Sequence, residues 1–403
     1  MSAKVSSDTR EIEERSAGWG AVFALSLGAF ALVASEFMPV SLLTPIASNL
    51  HVTEGQAGQA ISVSGAFAVL TSLLISSVAG RLDRKVLLLS LTGLMIGSGT
   101  LAAFAPDYAT FMIGRALIGA AIGGFWSMSA ATVMRLVPEK SVPRALAILN
   151  GGNALATVIA APLGSFLGTI IGWRGAFFCL VPISAIVFVW QWISLPSMKI
   201  DRQTASGNVF NLLNRPVVAL GMAAVSLFFM GQFTLFTYLR PFLESVTHLD
   251  VSMLSLVLLM IGVTGFVGTT IIGAFLNKGL YRTLGVIPLL MAVIGTALVA
   301  LGGSIALTVL LLGAWGLFAT SAPVGWWTWL AKTLPHQAEA GGGLMVAIVQ
   351  VAITSGATIG GLLFDTIGYA ATFGASALIL VVAALLVVMT ARAARLQTTP
   401  LKA

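Results

Sequence analysis

The chain has 403 residues, of which 58% are hydrophobic and only 9% charged, with 43 glycines and a mean hydropathy of +0.99. That composition excludes a water-soluble enzyme core and fits lipid-embedded helices packed through small residues. The formal charge is +7, and the single cysteine, Cys179, excludes an internal disulfide.

Residues 1–17 mix Asp8, Glu11, Glu13 and Glu14 with basic residues and lead into a full-length apolar run. They do not resemble a cleaved secretory signal and read as a short, mobile tail. Twelve apolar runs long enough for a bilayer follow: Trp19 to Leu43, Ala57 to Val78, Val86 to Phe104, Ala109 to Met134, Ala145 to Gly168, Phe177 to Leu195, Val217 to Tyr238, Met253 to Leu276, Leu284 to Leu301, Ile305 to Leu330, Leu344 to Leu363 and Ala371 to Thr390. The fold class is therefore all-α integral membrane, with twelve transmembrane helices. A polar stretch, 197–216, divides residues 18–196 from residues 217–392 and reads as a cytoplasmic linker, and residues 393–403 form a second tail.

With the N-terminus inside, all but three of the 21 Lys and Arg fall on cytoplasmic segments. Arg174 and Arg240 fall outside, and Arg115 lies within a span. This is the bias of the positive-inside rule, so the basic charge needs no nucleic-acid partner, and both termini are expected in the cytoplasm.

The chain also repeats itself. At an offset of 196 residues, Glu36, Phe37, Ser41, Leu43 and Pro45 match Gln232, Phe233, Thr237, Leu239 and Pro241, while Gly164, Gly172, Trp173 and Phe177 match Gly360, Gly368, Tyr369 and Phe373. An even number of spans separates matching positions. The reading is two parallel six-helix halves related by an axis along the membrane normal, with a solute site between them near mid-membrane.

Glu36 and Arg115 are the two charged side chains well inside apolar runs, and intramembrane charge marks a transport pathway by default. At ~1.5 Å per residue they share a depth and can pair across the bundle, as a proton-coupling couple or as a fixed ion pair that holds the first and fourth helices together. Their counterparts in the second half are the neutral Gln232 and Leu311.

Asn153, Gln232 and Gln350 fall near span centres, where an amide can bond a polar solute, although interhelical bonding explains each equally well. Phe125, Trp126 and Phe233 can flank a planar ligand, or simply pack. Trp326 divides between a pocket and an interfacial aromatic belt, and Trp329 reads as belt.

The run Gly80-Arg81-Leu82-Asp83-Arg84-Lys85 forms a charged turn between the second and third spans, suited to holding helix ends together or to setting topology. Ala160 to Ser165 places Pro162 and Gly164 late in the fifth span, where they permit a kink and close contact. His51, His248 and His336 lie in loops or at span ends, so no metal or other cofactor is expected. No Walker-type or Gly-x-Ser-x-Gly motif occurs, so energy is expected from a gradient.

These motifs resemble the major facilitator superfamily, in its twelve-span proton-coupled efflux branch. The charged turn is similar to a shortened form of that superfamily's cytoplasmic gate loop, with Gly80, Asp83 and Arg84 in gate positions. Arg115, Gly119 and Gly123 resemble its fourth-span motif, and Ala161 to Ser165 resembles its fifth-span antiport motif, with alanine and serine where glycines are usual. Glu36 to Pro45, Gly123 to Ser129 with Met134 to Pro138, and Pro323 to Trp326 are similar to bacterial carriers that export purine ribonucleosides. The resemblance implies a monomeric inner-membrane antiporter exchanging inosine, guanosine or analogues for protons. Glu36 would carry the proton, Arg115 would tune its release, and Phe125, Trp126, Asn153, Gln232, Phe233, Trp326 and Gln350 would meet the solute. Sugar or drug export, passive facilitation and a lipid-modifying enzyme are the alternatives.

Overall fold

The computed structural model describes residues 2–79, 82–138, 141–198, 209–335 and 337–398. In chain order the elements are α1 (Ser2–Ser41), α2 (Leu43–Leu50), α3 (Glu54–Ala79), α4 (Arg84–Ala103), α5 (Tyr108–Leu136), α6 (Val142–Ile170), α7 (Gly172–Phe178) and α8 (Leu180–Ser194). A 3₁₀ turn (Val209–Asn214) leads to α9 (Pro216–Phe236), α10 (Leu239–Ser245), α11 (Val251–Leu301), α12 (Ile305–Thr333), α13 (Ala338–Thr366) and α14 (Tyr369–Thr398). No strand occurs among the described residues.

Eleven of these stretches, counted among the described residues, are long and apolar enough to cross a membrane, with α7–α8 and α9–α10 each making one crossing. The count becomes twelve at α11. Its 51 residues would extend ~75 Å as one rod against ~30 Å of hydrocarbon. The helix breaks at Gly279, whose extended backbone interrupts the helical path. Thr283 Oγ1 donates to the Gly279 carbonyl at 2.9 Å and to the Phe275 carbonyl at 3.2 Å, covering acceptors the break leaves exposed.

The expected tail before residue 18 is not separate: α1 is helical from Ser2, and its membrane-crossing part begins at Gly18. At turns outside the spans, Asp107 and Asp250 cap α5 and α11 by accepting the backbone N–H groups of Thr110 and Met253, each at 2.8 Å. The Thr110 amide holds the Asp107 carboxyl below the ordinary aspartate range.

The internal repeat is visible in the backbone itself. Among the described residues the left-handed ones are His51 and Gly172 in the first half and His248 and Gly368 in the second, within one residue of the offset read from the sequence. Each half has its own apolar core, one built around Phe111, Phe125 and Phe177, the other around Phe228, Trp315 and Trp329. A third, small cluster joins the halves: Val40 and Ile61 from the first with Phe233, Ile353 and Ala357 from the second.

Within the first half, α5 lies directly on the backbone of α3. A Cβ at Gly119 or Gly123 would collide with the main chain of Ser64 or Ala68. By contrast, a Cβ at Gly151 meets nothing within 4 Å. Gly123→Ala is therefore expected to cost about 1–3 kcal/mol through overpacking, whereas Gly151→Ala gains up to ~1 kcal/mol from helix propensity. Thermal unfolding of the two purified proteins in detergent checks the opposite signs.

Candidate functional site

Pro39 sits inside α1. It has no N–H, so the carbonyl of Ser35, four residues earlier, loses its donor within the helix. Arg115 of α5 supplies the missing donor. Its Nη1 donates to the Ser35 carbonyl at 2.8 Å and its Nη2 to the Glu36 carbonyl at 3.3 Å. On the other side, its Nε donates to the Ala60 carbonyl of α3 at 3.1 Å and its Nη2 to Ser64 Oγ at 3.2 Å. The guanidinium, 1% exposed, thus clips α1 to α3 by main-chain atoms.

This corrects the expected Glu36–Arg115 ion pair. Arg115 holds the main chain of Glu36, and these hydrogen bonds go to carbonyls and to Ser64 Oγ in place of the Glu36 carboxylate. A planar fork of five donors is filled by the orphaned carbonyl and its neighbours. The Glu36 carboxylate turns instead to the second half, where Gln350 Nε2 of α13 donates to its Oε1 at 3.3 Å. Both residues are buried, at 6% and 7% exposure.

Beside this contact Phe37 stacks on Phe233 of α9, with centroids 5.8 Å apart and planes 22° apart. The Oε1 atoms of Gln350 and Gln232 are buried and accept no hydrogen bond among the described residues. Buried acceptors of this kind call for a donor from a solute or water. Glu36, Gln350, Phe37 and Phe233 therefore gather at the junction of the halves, with Gln232 next to Phe233 in α9.

Other sequence candidates lie elsewhere. Phe125 is enclosed in the first-half core, beneath Gly28 and edge-on to Trp126, and Trp326 is enclosed in the second-half core, edge-on to Trp329. Each buries its large apolar surface in its own half's core. Trp329 is likewise core and not belt: its ring fills the space beside Gly221. Trp327, at 48% exposure, takes the outward position. Trp126 and Asn153 are half-buried, and the Asn153 amide makes no hydrogen bond among the described residues.

Asp83 caps α4 through Lys85 N at 2.8 Å and also accepts from Met198 N at 3.1 Å and from the Ser197 hydroxyl. Arg84 N donates to the Met198 carbonyl at 3.1 Å. These contacts pin the start of the linker to the charged turn, while Gly80 lies outside the described residues. Gly164 lets α6 approach Ser41 and Met38 of α1. Pro162 frees the Val158 carbonyl, against which Gly262 of α11 packs.

The halves meet by polar contacts from mid-membrane to the end of the bundle away from the termini. Asp365 at the end of α13 accepts from Gly55 N at 2.9 Å and from Thr53 Oγ1 at 2.5 Å, capping α3 of the opposite half. Tyr238 fills the space left by Gly58 and donates to the Ala357 carbonyl at 2.8 Å. Thr358 donates to Ser62 Oγ at 2.9 Å, Ser255 to Ser165 Oγ at 3.0 Å, and Arg240 to the Ser41 carbonyl. Arg240 was expected in an external loop, yet it is buried in this seam with Glu244 Oε1 at 2.8 Å. Sequence reasoning missed Ser35, which the spacing to Pro39 does signal, and Asp365, whose partners lie over 300 positions away.

A family profile described as Major Facilitator Superfamily matches residues 25–353. The chain belongs to this superfamily. It is 61% identical over 97% of its length to a Pseudomonas aeruginosa protein named transcription regulatory protein OpdE, covering 98% of that protein. It is 39% identical over 95% of each chain to the Salmonella typhimurium purine ribonucleoside efflux pump NepI. Among solved structures it is similar to a bacterial homologue of the lysosomal transporter Spinster in an inward-facing, unoccupied conformation, with a TM-score of 0.77 at 15% identity over 94% of this chain and 97% of that one. A D-xylose–proton symporter gives 0.73 at 16% over 92% and 97%. The protein is thus a multi-pass transporter of the superfamily and not an enzyme.

Because this superfamily member ties two of its helices together through one guanidinium, Arg115→Lys is expected to leave carbonyls of the clip unpaired and to cost about 2–4 kcal/mol. A lowered unfolding temperature, larger than that of Arg174→Lys at the periphery, checks this.

Proposed function

We propose that this transporter exports purine ribonucleosides from the bacterial cytoplasm across the inner membrane in exchange for protons, by alternating access. The observation that carries the reading is the Glu36 carboxylate held across the junction of the halves by the Gln350 amide. The 39% identity to NepI over nearly the whole chain supports the substrate class. A lone carboxylate at lipid depth, joined to the half against which its own half rocks, suits a group whose proton occupancy is tied to which side is open.

The positive-inside bias puts the terminal face in the cytoplasm. The seam of Asp365, Tyr238 and Arg240 then closes the outer side, and the state is cytoplasm-facing. A solute entering from the cytoplasm would reach Glu36, Gln350 and Gln232, with Trp126 and Asn153 as further half-buried groups. A nucleoside supplies what the junction lacks: hydroxyl and amine donors for the orphaned amide oxygens, and a flat base for stacking. When Glu36 takes up a proton from outside, the solute is released there; when it yields the proton inside, the cycle resets.

The name of the 61% relative fits a second, compatible reading. A carrier that lowers the cytoplasmic level of an effector changes transcription without touching DNA.

Two experiments test the proposal. In proteoliposomes with an imposed pH gradient, the unmodified protein is expected to accumulate inosine, and Glu36→Gln to lose accumulation at least tenfold. Accumulation that survives in Glu36→Gln overturns the proton assignment. Flux of arabinose or a cationic dye in place of inosine moves the substrate to the sugar or drug class. Separately, Thr53→Cys and Asp365→Cys in a Cys179→Ser background, joined by a short bis-methanethiosulfonate linker with each thiolate displacing methanesulfinate, are expected to stop transport by locking the outer seam. Undiminished transport in the linked protein excludes opening at this seam.

A further inference from the structure

One side of the first half carries a groove that the transport cycle does not use. Lys85, Val86, Leu89 and Gly93 of α4 face Phe188 and Trp192 of α8 across a space of about 580 Å³. The α4 residues share one helical face, and the two rings stand one turn apart on α8, with centroids 6.1 Å apart. From Lys85 to Gly93 the groove runs ~12 Å along α4, from a helix end into apolar depth. Val86 and Trp192 are exposed, and a Cβ at Gly93 would meet nothing within 4 Å, so the floor is open.

We propose that this groove binds an anionic phospholipid of the surrounding bilayer, its phosphate on Lys85 and one acyl chain along Val86, Leu89 and Gly93 against the two rings. Charge selects the headgroup. The neighbouring carboxylate, Asp83, is directed to Lys85 N, Met198 N and the Ser197 hydroxyl. Among the described residues no carboxylate lies within ion-pair distance of the Lys85 ammonium. The amino end of α4 adds positive potential at the same point. Trp192, near the end of its span, sits at the depth where an indole bridges headgroups and hydrocarbon. A lysine at the membrane surface favours an anionic over a neutral lipid by about fivefold.

The full-length protein in detergent is titrated with phosphatidylglycerol and with phosphatidylcholine of the same chains, and bound lipid is counted by native mass spectrometry. About fivefold preference for phosphatidylglycerol is expected. Lys85→Ala removes the preference and Lys85→Arg restores it, while Lys332→Ala leaves it unchanged. Gly93→Leu, whose Cβ meets nothing within 4 Å and whose isobutyl group enters the groove, loses both lipids with the cation in place. Equal binding of the two lipids by the unmodified protein overturns the proposal, as does a preference indifferent to both Lys85→Ala and Gly93→Leu. None of these readouts depends on transport, so a failure here is separate from a failure of the proposed function.

Discussion

A proline in the first span and an arginine in the fourth depend on each other. Pro39 leaves the Ser35 carbonyl without a helical donor, and Arg115 brings a charge into lipid depth that must be surrounded by acceptors. Each defect answers the other at 2.8 Å. Glycines at 119 and 123 make the arrangement reachable, since α5 must lie against the backbone of α3 for the guanidinium to span from Ala60 to Ser35. Because the clip uses main-chain carbonyls, it leaves the Glu36 carboxylate unspent.

That unspent carboxylate meets the second half. Contacts within each half are large apolar cores, whereas contacts between halves combine one small apolar cluster with single hydrogen bonds from Ser, Thr, Gln, Asp and Arg side chains. In a bilayer such bonds average ~0.6 kcal/mol each. A junction made of several weak bonds closes firmly when all are formed and opens when they are exchanged for water. Rigid halves with a weak junction are the physical requirement for alternating access.

The halves share a fold but not a chemistry. The left-handed residues recur at matching places, as do the kinked helix pairs α1–α2 and α9–α10. Yet Gln232 and Leu311 stand where Glu36 and Arg115 stand in the first half. The second half contributes an amide and an aromatic ring to the junction while the first holds the ionisable group, so the buried Glu36 carboxylate lies against a neutral surface of the second half.

The sequence by itself determined the membrane class, the crossings, the doubling and the buried charges, because hydrophobic length, glycine content and internal repetition are local properties of the chain. The break inside α11 was legible as two apolar runs. The partners of those charges were decided only by tertiary structure. Glu36 and Arg115 share a depth, but whether a guanidinium takes a carboxylate or a carbonyl depends on which helix faces present acceptors, and depth does not encode rotation. Position along the spans left Phe125 between stacking and packing and Trp326 between pocket and belt, whereas direction around the helix buries each in its own half. Arg240, read as falling outside, and Asp365, missed in the sequence, are parts of the seam because the halves close there, bringing together residues roughly 200 to 300 positions apart through packing that no local pattern records.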